Sequence, residues 1–119
     1  MQIVNKLMML GMNVSDIPKA KAFYADKLGL KVTTDYRKDD NNWWVTLVPP
    51  EGGATITLAR ATGFENIKPG MMTMYFETSD IDAAYKELSN KGVKVNEVKD
   101  DLFGPGSGVK WFNLEDPEW

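Results

Sequence analysis

The chain has 119 residues, of which 43% are hydrophobic, enough for one compact core and too few for two ordinary domains. Its 17 acidic and 14 basic residues are interspersed, and a formal charge of −3 without a basic stripe argues against nucleic acid as a partner. The chain contains neither cysteine nor histidine, so it has no thiol nucleophile and lacks the commonest metal ligand and general base.

The first predicted elements are a strand and a helix. Residues 8–14 alternate between an apolar set and a mixed set, as in a strand with one face in the core and the other partly polar. The apolar set is Met8, Leu10, Met12 and Val14, and the mixed set is Met9, Gly11 and Asn13. A helix follows, because Ser15 or Asp16 can cap its start and an apolar stripe recurs every three or four residues. Strands are then predicted over 30–38, 43–48 and 54–60, separated by turn-rich segments.

The same pattern recurs 63 to 64 residues later in the chain. The triplet Ser-Asp-Ile at 15–17 returns at 79–81, and the run that begins with Gly at 29–32 returns at 92–95. A strand over 71–77, a second helix, and strands over 93–98 and 109–114 form the second copy, with a Gly-rich loop at 104–108. We interpret this recurrence as an internal duplication; the alternative is two unrelated helix-strand units of similar sequence.

Three stretches of the chain carry a resemblance to a known family. They are Val14-Ser15-Asp16-Ile17-Pro18-Lys19-Ala20, Phe23-Tyr24 and Leu28-Gly29-Leu30. They resemble the first-repeat signature of vicinal-oxygen-chelate proteins, the superfamily of glyoxalases, bleomycin resistance proteins and extradiol dioxygenases. Asp116-Pro117-Glu118 resembles a turn late in that family.

The resemblance implies a fold and an assembly. The fold is α+β, with two βαβββ repeats at about 6–60 and 70–119 that form a curled mixed sheet cup, with the helices on its outer face, in one domain over 1–119. Family members continue past the late turn with another strand, so the final strand is missing here, and we favour truncation over cover by a partner chain or natural absence. Since family cups form across dimers, we expect a homodimer.

The family's metal-ligand positions can be matched to this chain. They fall on Met9, Thr57 and Thr73, and the fourth would lie past the last residue. A thioether and neutral hydroxyls are weak ligands for the divalent ions of this family. We therefore predict no metal and no other cofactor.

The remaining candidate site residues come from the mixed strand faces. Glu77 and Tyr75 are candidates for acid-base catalysis, although a solvated strand end is the simpler explanation of Glu77. Trp43 and Trp44 are adjacent, so one faces the cup and the other the opposite side, and core packing is an equal alternative for both. The predicted ligand-binding set is Met9, Asn13, Trp43, Trp44, Thr57, Thr73, Tyr75, Glu77 and Trp111.

The sequence predicts a metal-free protein that binds a small aromatic or amphipathic molecule. The alternative is a lyase, isomerase or dioxygenase-like enzyme of the superfamily that uses Glu77 and Tyr75 or an atypical metal site. A dimerisation module without a ligand is a third, weaker candidate. We expect a cytoplasmic location, because the absence of cysteine fits a reducing compartment, and no membrane partner, because the sequence shows no targeting segment and no apolar run of membrane-spanning length.

Overall fold

The structure, a computed structural model, describes residues 3–60, 74–115 and 117. They fall into two compact units that divide between residues 72 and 73. Thr73, one of the predicted site residues, lies outside the described residues.

The first unit is built on a mixed sheet of four strands. The strands are β1 (Met9–Asn13), β2 (Lys31–Asp39), β3 (Asn42–Val48) and β4 (Thr55–Arg60). Their order is β1-β4-β3-β2, with β1 parallel to β4 and β3 antiparallel to both of its neighbours. All four strands predicted for this part of the chain are present, and the predicted α+β class is confirmed.

The first helix packs on one face of this sheet. Helix α1 (Ile17–Ala22) begins where the Asp16 side chain accepts a hydrogen bond from the Lys19 amide at 3.0 Å, which satisfies a free N–H of the first turn. It continues as a π-helical turn over Phe23–Lys27. The side chains buried between helix and sheet form the core of the unit; they are Val14, Ile17, Ala20, Tyr24, Val45, Leu47, Ile56 and Leu58.

Strand alternation assigns the residues of β3 to the two faces of the sheet. Val45 and Leu47 are fully buried, so they face helix α1, and Trp43 shares their side because it lies two residues before Val45. Trp44 and Thr46 consequently point to the opposite face, which we call the Trp44 face. The sequence had left open which tryptophan faces which way.

The second unit contains helix α2 (Ile81–Asn90) and two antiparallel bridges, Val95 with Leu114 and Lys99 with Trp111. Regular strands predicted over 93–98 and 109–114 are present only as these bridges. Residues 74–77 of the predicted strand 71–77 form no strand, and 71–73 lie outside the described residues. Alternation of side chains predicts an extended chain, but a regular strand also needs a continuous hydrogen-bonded neighbour. No helix in the described ranges is long and apolar enough to span a membrane.

The two helices end in the same way, apart from one extra residue in the first. The Tyr24 carbonyl accepts a hydrogen bond from the Leu30 amide, and the Leu88 carbonyl accepts one from the Val93 amide, both at 3.0 Å. Tyr24 and Leu88 are 64 positions apart, whereas Leu30 and Val93 are 63 apart. The first helix therefore holds one more residue after its last buried side chain. A π-helical turn is the conformation that absorbs a single inserted residue, and it lies at this place, over Phe23–Lys27.

Candidate functional site

Two rows of side chains cross the sheet on the Trp44 face. Each row takes one residue from every strand, as fixed by the cross-strand register. The first row is Tyr36, Trp44, Ala59 and Asn13, and the second is Thr34, Thr46, Thr57 and Gly11. Neither row contains a charged side chain. The centre of this face is therefore an uncharged surface of aromatic rings, hydroxyls and one amide.

The aromatic part of this surface is a pair of stacked rings. Tyr36 and Trp44 lie opposite one another on β2 and β3, with ring centroids 4.6 Å apart and a tilt of 31°. Tyr36 is 47% exposed and Trp44 36%. Within the described part of the chain, neither the Trp44 indole N–H nor the Tyr36 hydroxyl has a hydrogen-bond partner. Two donors beside a stacked pair can serve a bound molecule that carries acceptor groups.

A short chain of polar contacts runs along the same face. The Thr57 hydroxyl donates to Met9 Sδ at 2.8 Å, and the hydroxyls of Thr57 and Thr46 are 2.9 Å apart. Met9 and Thr57 stand where the resemblance places two metal ligands, and the fold does bring them into contact. A thioether that accepts a hydrogen bond from a neutral hydroxyl is not a donor set for a hard or borderline divalent ion. The residues at these two positions do not fit the family's metal.

The wider structure offers no replacement for those ligands in the described ranges. No group of three or more histidine, cysteine, aspartate or glutamate side chains comes together there in a way that could hold a metal ion. Among the described residues, the chemistry of the Trp44 face is therefore that of stacking and hydrogen bonding.

Trp43 has a different role from its neighbour. Its indole N–H donates to Asp35 Oδ1 at 2.8 Å, and the Arg37 guanidinium lies 4.5 Å from its ring centroid. Asp35 also accepts a hydrogen bond of 2.6 Å from Lys21 of helix α1. The Lys21 ammonium and then the Trp43 N–H stabilise the carboxylate, which lowers the pKa of Asp35. Trp43 thus belongs to a clamp that joins helix and sheet, on the side away from the Trp44 face.

A shallow cleft lies beside this clamp, at the start of helix α1. Its lining includes Trp43 and Arg60, together with Ser15, Asp16, Ile17, Pro18, Asp40 and Asn41. Arg60 donates to the Ser15 carbonyl, and Arg37 pairs with Asp40. The charged groups of Arg60 and Asp40 at the cleft are thus already paired, one with a backbone carbonyl and the other with a guanidinium.

The candidates in the second unit belong to no regular strand in the described part of the chain. Tyr75, 78% exposed, and Glu77 lie in an irregular segment before helix α2. Trp111 donates its indole N–H to Asp101 at 2.8 Å, and Lys99 Nζ is 5.7 Å from its ring centroid. The catalytic pairing of Tyr75 and Glu77 finds no geometric support among the described contacts.

Tyr36 was not among the site residues predicted from the sequence, and it becomes a candidate through its stack on Trp44. The turn predicted at 39–42 could have identified it. An antiparallel hairpin that closes at this turn pairs residues whose numbers sum to about 80, which places Tyr36 opposite Trp44. The observed pairs Tyr36–Trp44 and Arg37–Trp43 obey this relation. Asn13 lies in the same row as Trp44, at the far strand, as its place on the mixed face of β1 predicted.

Comparison with known proteins identifies the family of the chain. Residues 6–118 match the family model described as the glyoxalase/bleomycin resistance protein/dioxygenase superfamily. Because this match covers nearly the whole sequence, the chain belongs to that superfamily, and the resemblance drawn from 14–30 is confirmed.

Individual relatives agree with this assignment. The uncharacterized protein YraH of Bacillus subtilis (strain 168) is 28% identical over 102 residues, which cover 81% of this chain and 80% of YraH. A superfamily member from Sphaerobacter thermophilus DSM 20745 has a TM-score of 0.74 at 29% identity, over 97% of this chain and 100% of that one. TnmS3, an antibiotic binding protein from Streptomyces sp. CB03234, has a TM-score of 0.83 at 24% identity, over 99% and 92% of the two chains. The likeness to TnmS3 shows the shared fold.

Proposed function

We propose that this protein binds a small, uncharged, planar aromatic or amphipathic molecule on the Trp44 face, without a metal. The observation that carries the proposal is the exposed Tyr36–Trp44 stack, with centroids 4.6 Å apart, on a face whose two central rows hold no charge. Stacking of a nucleobase on an aromatic side chain contributes about 1–3 kcal/mol to binding, and we expect a similar scale for other planar ring systems. The name of TnmS3, an antibiotic binding protein of the same fold, supports a binding role.

The charge distribution favours a neutral ligand over a cationic one. The carboxylates of Asp35 and Asp40 already pair with Lys21 and Arg37. The donors of Trp44 and Tyr36, which have no partner among the described residues, favour a ligand with acceptor atoms such as carbonyl oxygens at its edge. An aromatic ring system with carbonyl or ether groups satisfies both conditions.

The two adjacent tryptophans provide a matched test of this proposal. We expect Trp44→Leu to weaken binding of Nile red, an uncharged planar aromatic carbonyl compound, at least tenfold, or about 1.4 kcal/mol. Trp43→Leu should lower the melting temperature, since it breaks the Asp35 clamp, and should leave Nile red affinity within about threefold below that temperature. Binding is measured by fluorescence titration, and folding by circular dichroism.

The outcome that would contradict the proposal is equal Nile red affinity in the wild type and Trp44→Leu. A planar cation of similar size, such as ethidium, serves as the ligand control and should bind at least tenfold more weakly than Nile red. Tighter binding of ethidium would overturn the neutral ligand class while leaving a binding role in place.

A further inference from the structure

The thioether of Met9 is an exposed, reactive group on the Trp44 face. Met9 is 44% exposed, and its sulfur accepts the hydrogen bond from Thr57. Met8, its neighbour, is 66% exposed, and Met12 is buried. Peroxides convert an exposed methionine to its sulfoxide, a change that turns a flexible apolar side chain into a polar one. The chain has no cysteine thiol to compete for the oxidant.

Strand geometry separates the two exposed methionines. Met9 is in β1 and pairs with Thr55, while the Met8 carbonyl accepts the Thr55 amide at 3.0 Å, so both residues are extended. Successive side chains of an extended segment point to opposite faces. Met9 is therefore on the Trp44 face and Met8 on the other side, which makes Met8 an internal control for Met9.

We propose that Met9 is an oxidation site whose reaction with peroxide is promoted by Thr57 and lowers the ligand affinity of the Trp44 face. The sulfur lone pair attacks one oxygen of hydrogen peroxide, and the O–O bond breaks. The departing hydroxide takes up the proton left on the oxygen now bonded to sulfur. The methionine loses two electrons to the peroxide, and the products are methionine sulfoxide and water.

Thr57 is positioned to assist this step. Its hydroxyl already donates toward Met9 Sδ at 2.8 Å, so it can instead donate to the departing oxygen, on which negative charge develops. Thr46, 2.9 Å from Thr57, can donate to Thr57 in turn and supports its orientation. Met8 has no such hydroxyl partner among the described contacts. The sulfoxide oxygen, a stronger acceptor than the thioether, would keep the hydrogen bond from Thr57.

The effect on affinity rests on the proposed binding function. A sulfoxide oxygen can accept more than the one hydrogen bond that Thr57 supplies. When an apolar molecule covers it, the oxygen must give up its remaining hydration without a replacement, which is costly. Oxidation of Met8 would place its oxygen on the opposite side and leave the face unchanged. Ligand affinity should therefore fall when Met9 is oxidised and stay the same when Met8 is oxidised.

The chemical part of the proposal is tested by the rates of oxidation. The intact protein is treated with hydrogen peroxide, and sulfoxide at Met8 and Met9 is followed by peptide mass spectrometry. We expect Thr57→Val to slow the oxidation of Met9 at least threefold and to leave the rate at Met8 unchanged. An unchanged Met9 rate in Thr57→Val, or an equal slowing at both methionines, would overturn the assisted reaction.

The regulatory part is tested with Nile red after oxidation. We expect the dissociation constant to rise at least tenfold, Met9→Leu to bind before and after peroxide alike, and a methionine sulfoxide reductase to restore the wild type. If the reduced protein binds Nile red and the oxidised protein binds it equally well, the regulatory role is wrong. If the reduced protein does not bind it, the proposed function fails and this role with it, whereas the oxidation rates still decide the chemistry at Met9.

Discussion

At the scale of single residues, Trp43 and Trp44 show how one step along a strand separates two roles. The Trp43 N–H is taken by Asp35, which also pairs with Lys21, so that indole holds helix and sheet together. Trp44 stacks on Tyr36 on the opposite face, and its N–H has no hydrogen-bond partner among the described residues. The structural role of Trp43 therefore depends on Asp35, which accepts hydrogen bonds from both Trp43 and Lys21.

The Asp35 clamp makes stability depend on pH. Because the pKa of Asp35 is lowered in the folded chain, its contribution is present above the unfolded pKa of about 4 and is lost as pH falls through the folded pKa. We expect Asp35→Asn to cost up to about 1 kcal/mol at pH 7, since the pair is partly exposed, and progressively less below pH 4. Urea denaturation from pH 7 to pH 3 measures this, with Glu51→Gln in an exposed turn as the control. An equal loss at both ends of the range would contradict the clamp.

At the scale of elements, the first helix and helix α2 begin and end with the same local structures. Both start at an aspartate whose side chain accepts a backbone amide three residues later, and both are followed by a glycine with a φ of 80°, a conformation that side chains disfavour. They differ by the extra residue after Tyr24, which the π-helical turn accommodates.

Removing that extra residue tests the account of the π-helical turn. Deletion of Asp26, which is exposed, should convert the turn to α-helix and keep the fold, at a cost below about 1 kcal/mol. The matched deletion of Lys86 in helix α2 would rotate the residues after it by about 100° and misplace the buried Leu88, costing more than about 2 kcal/mol. Thermal unfolding compares the two deletions. Similar losses in both would mean that the first helix holds no spare residue.

At the scale of the whole molecule, the edges of the sheet in the first unit differ in character. Edge strand β2 (Lys31–Asp39) is rich in charged side chains, which discourage pairing with another chain. Edge strand β1 (Met9–Asn13) carries no charge, and Ile3, Val4, Leu7 and Met8 before it are exposed apolar residues. An uncharged edge next to exposed apolar side chains is typical of an interaction surface. This contrast adds a physical argument to the homodimer that the family resemblance implies.

Native mass spectrometry tests the assembly and the absence of a metal together. We expect a homodimer without a stoichiometric divalent ion, because the positions matched to metal ligands hold Met9 and Thr57. Lys substitution at Leu7, which is exposed immediately before edge strand β1, should shift the dimer toward monomer, whereas the same change at the exposed Thr33 of β2 should not. A monomer at micromolar concentration would contradict the assembly, and one divalent ion per chain would contradict the metal-free proposal.

The sequence by itself determined those features of the structure that depend on residues only a few positions apart. The capping aspartates, the glycines that follow each helix and the alternation of β1 act within a turn or a strand, so helix starts and the four strands of the first unit could be predicted. The sequence also showed the family signature at 14–30, and it showed that Met9 and Thr57 occupy positions matched to metal ligands. Both observations require only the type of residue at each position.

Only the tertiary structure decided those side-chain orientations and contacts that depend on how distant segments pair. Which of Trp43 and Trp44 faces the core, the stack of Tyr36 on Trp44, and the contact of Thr57 with Met9 all follow from how strands pair. A shift of one residue in that pairing would move every side chain of a strand to the other face. For the same reason, the strands predicted over 93–98 and 109–114 became isolated bridges: their alternation is local, whereas a ladder requires a partner strand in register along its length.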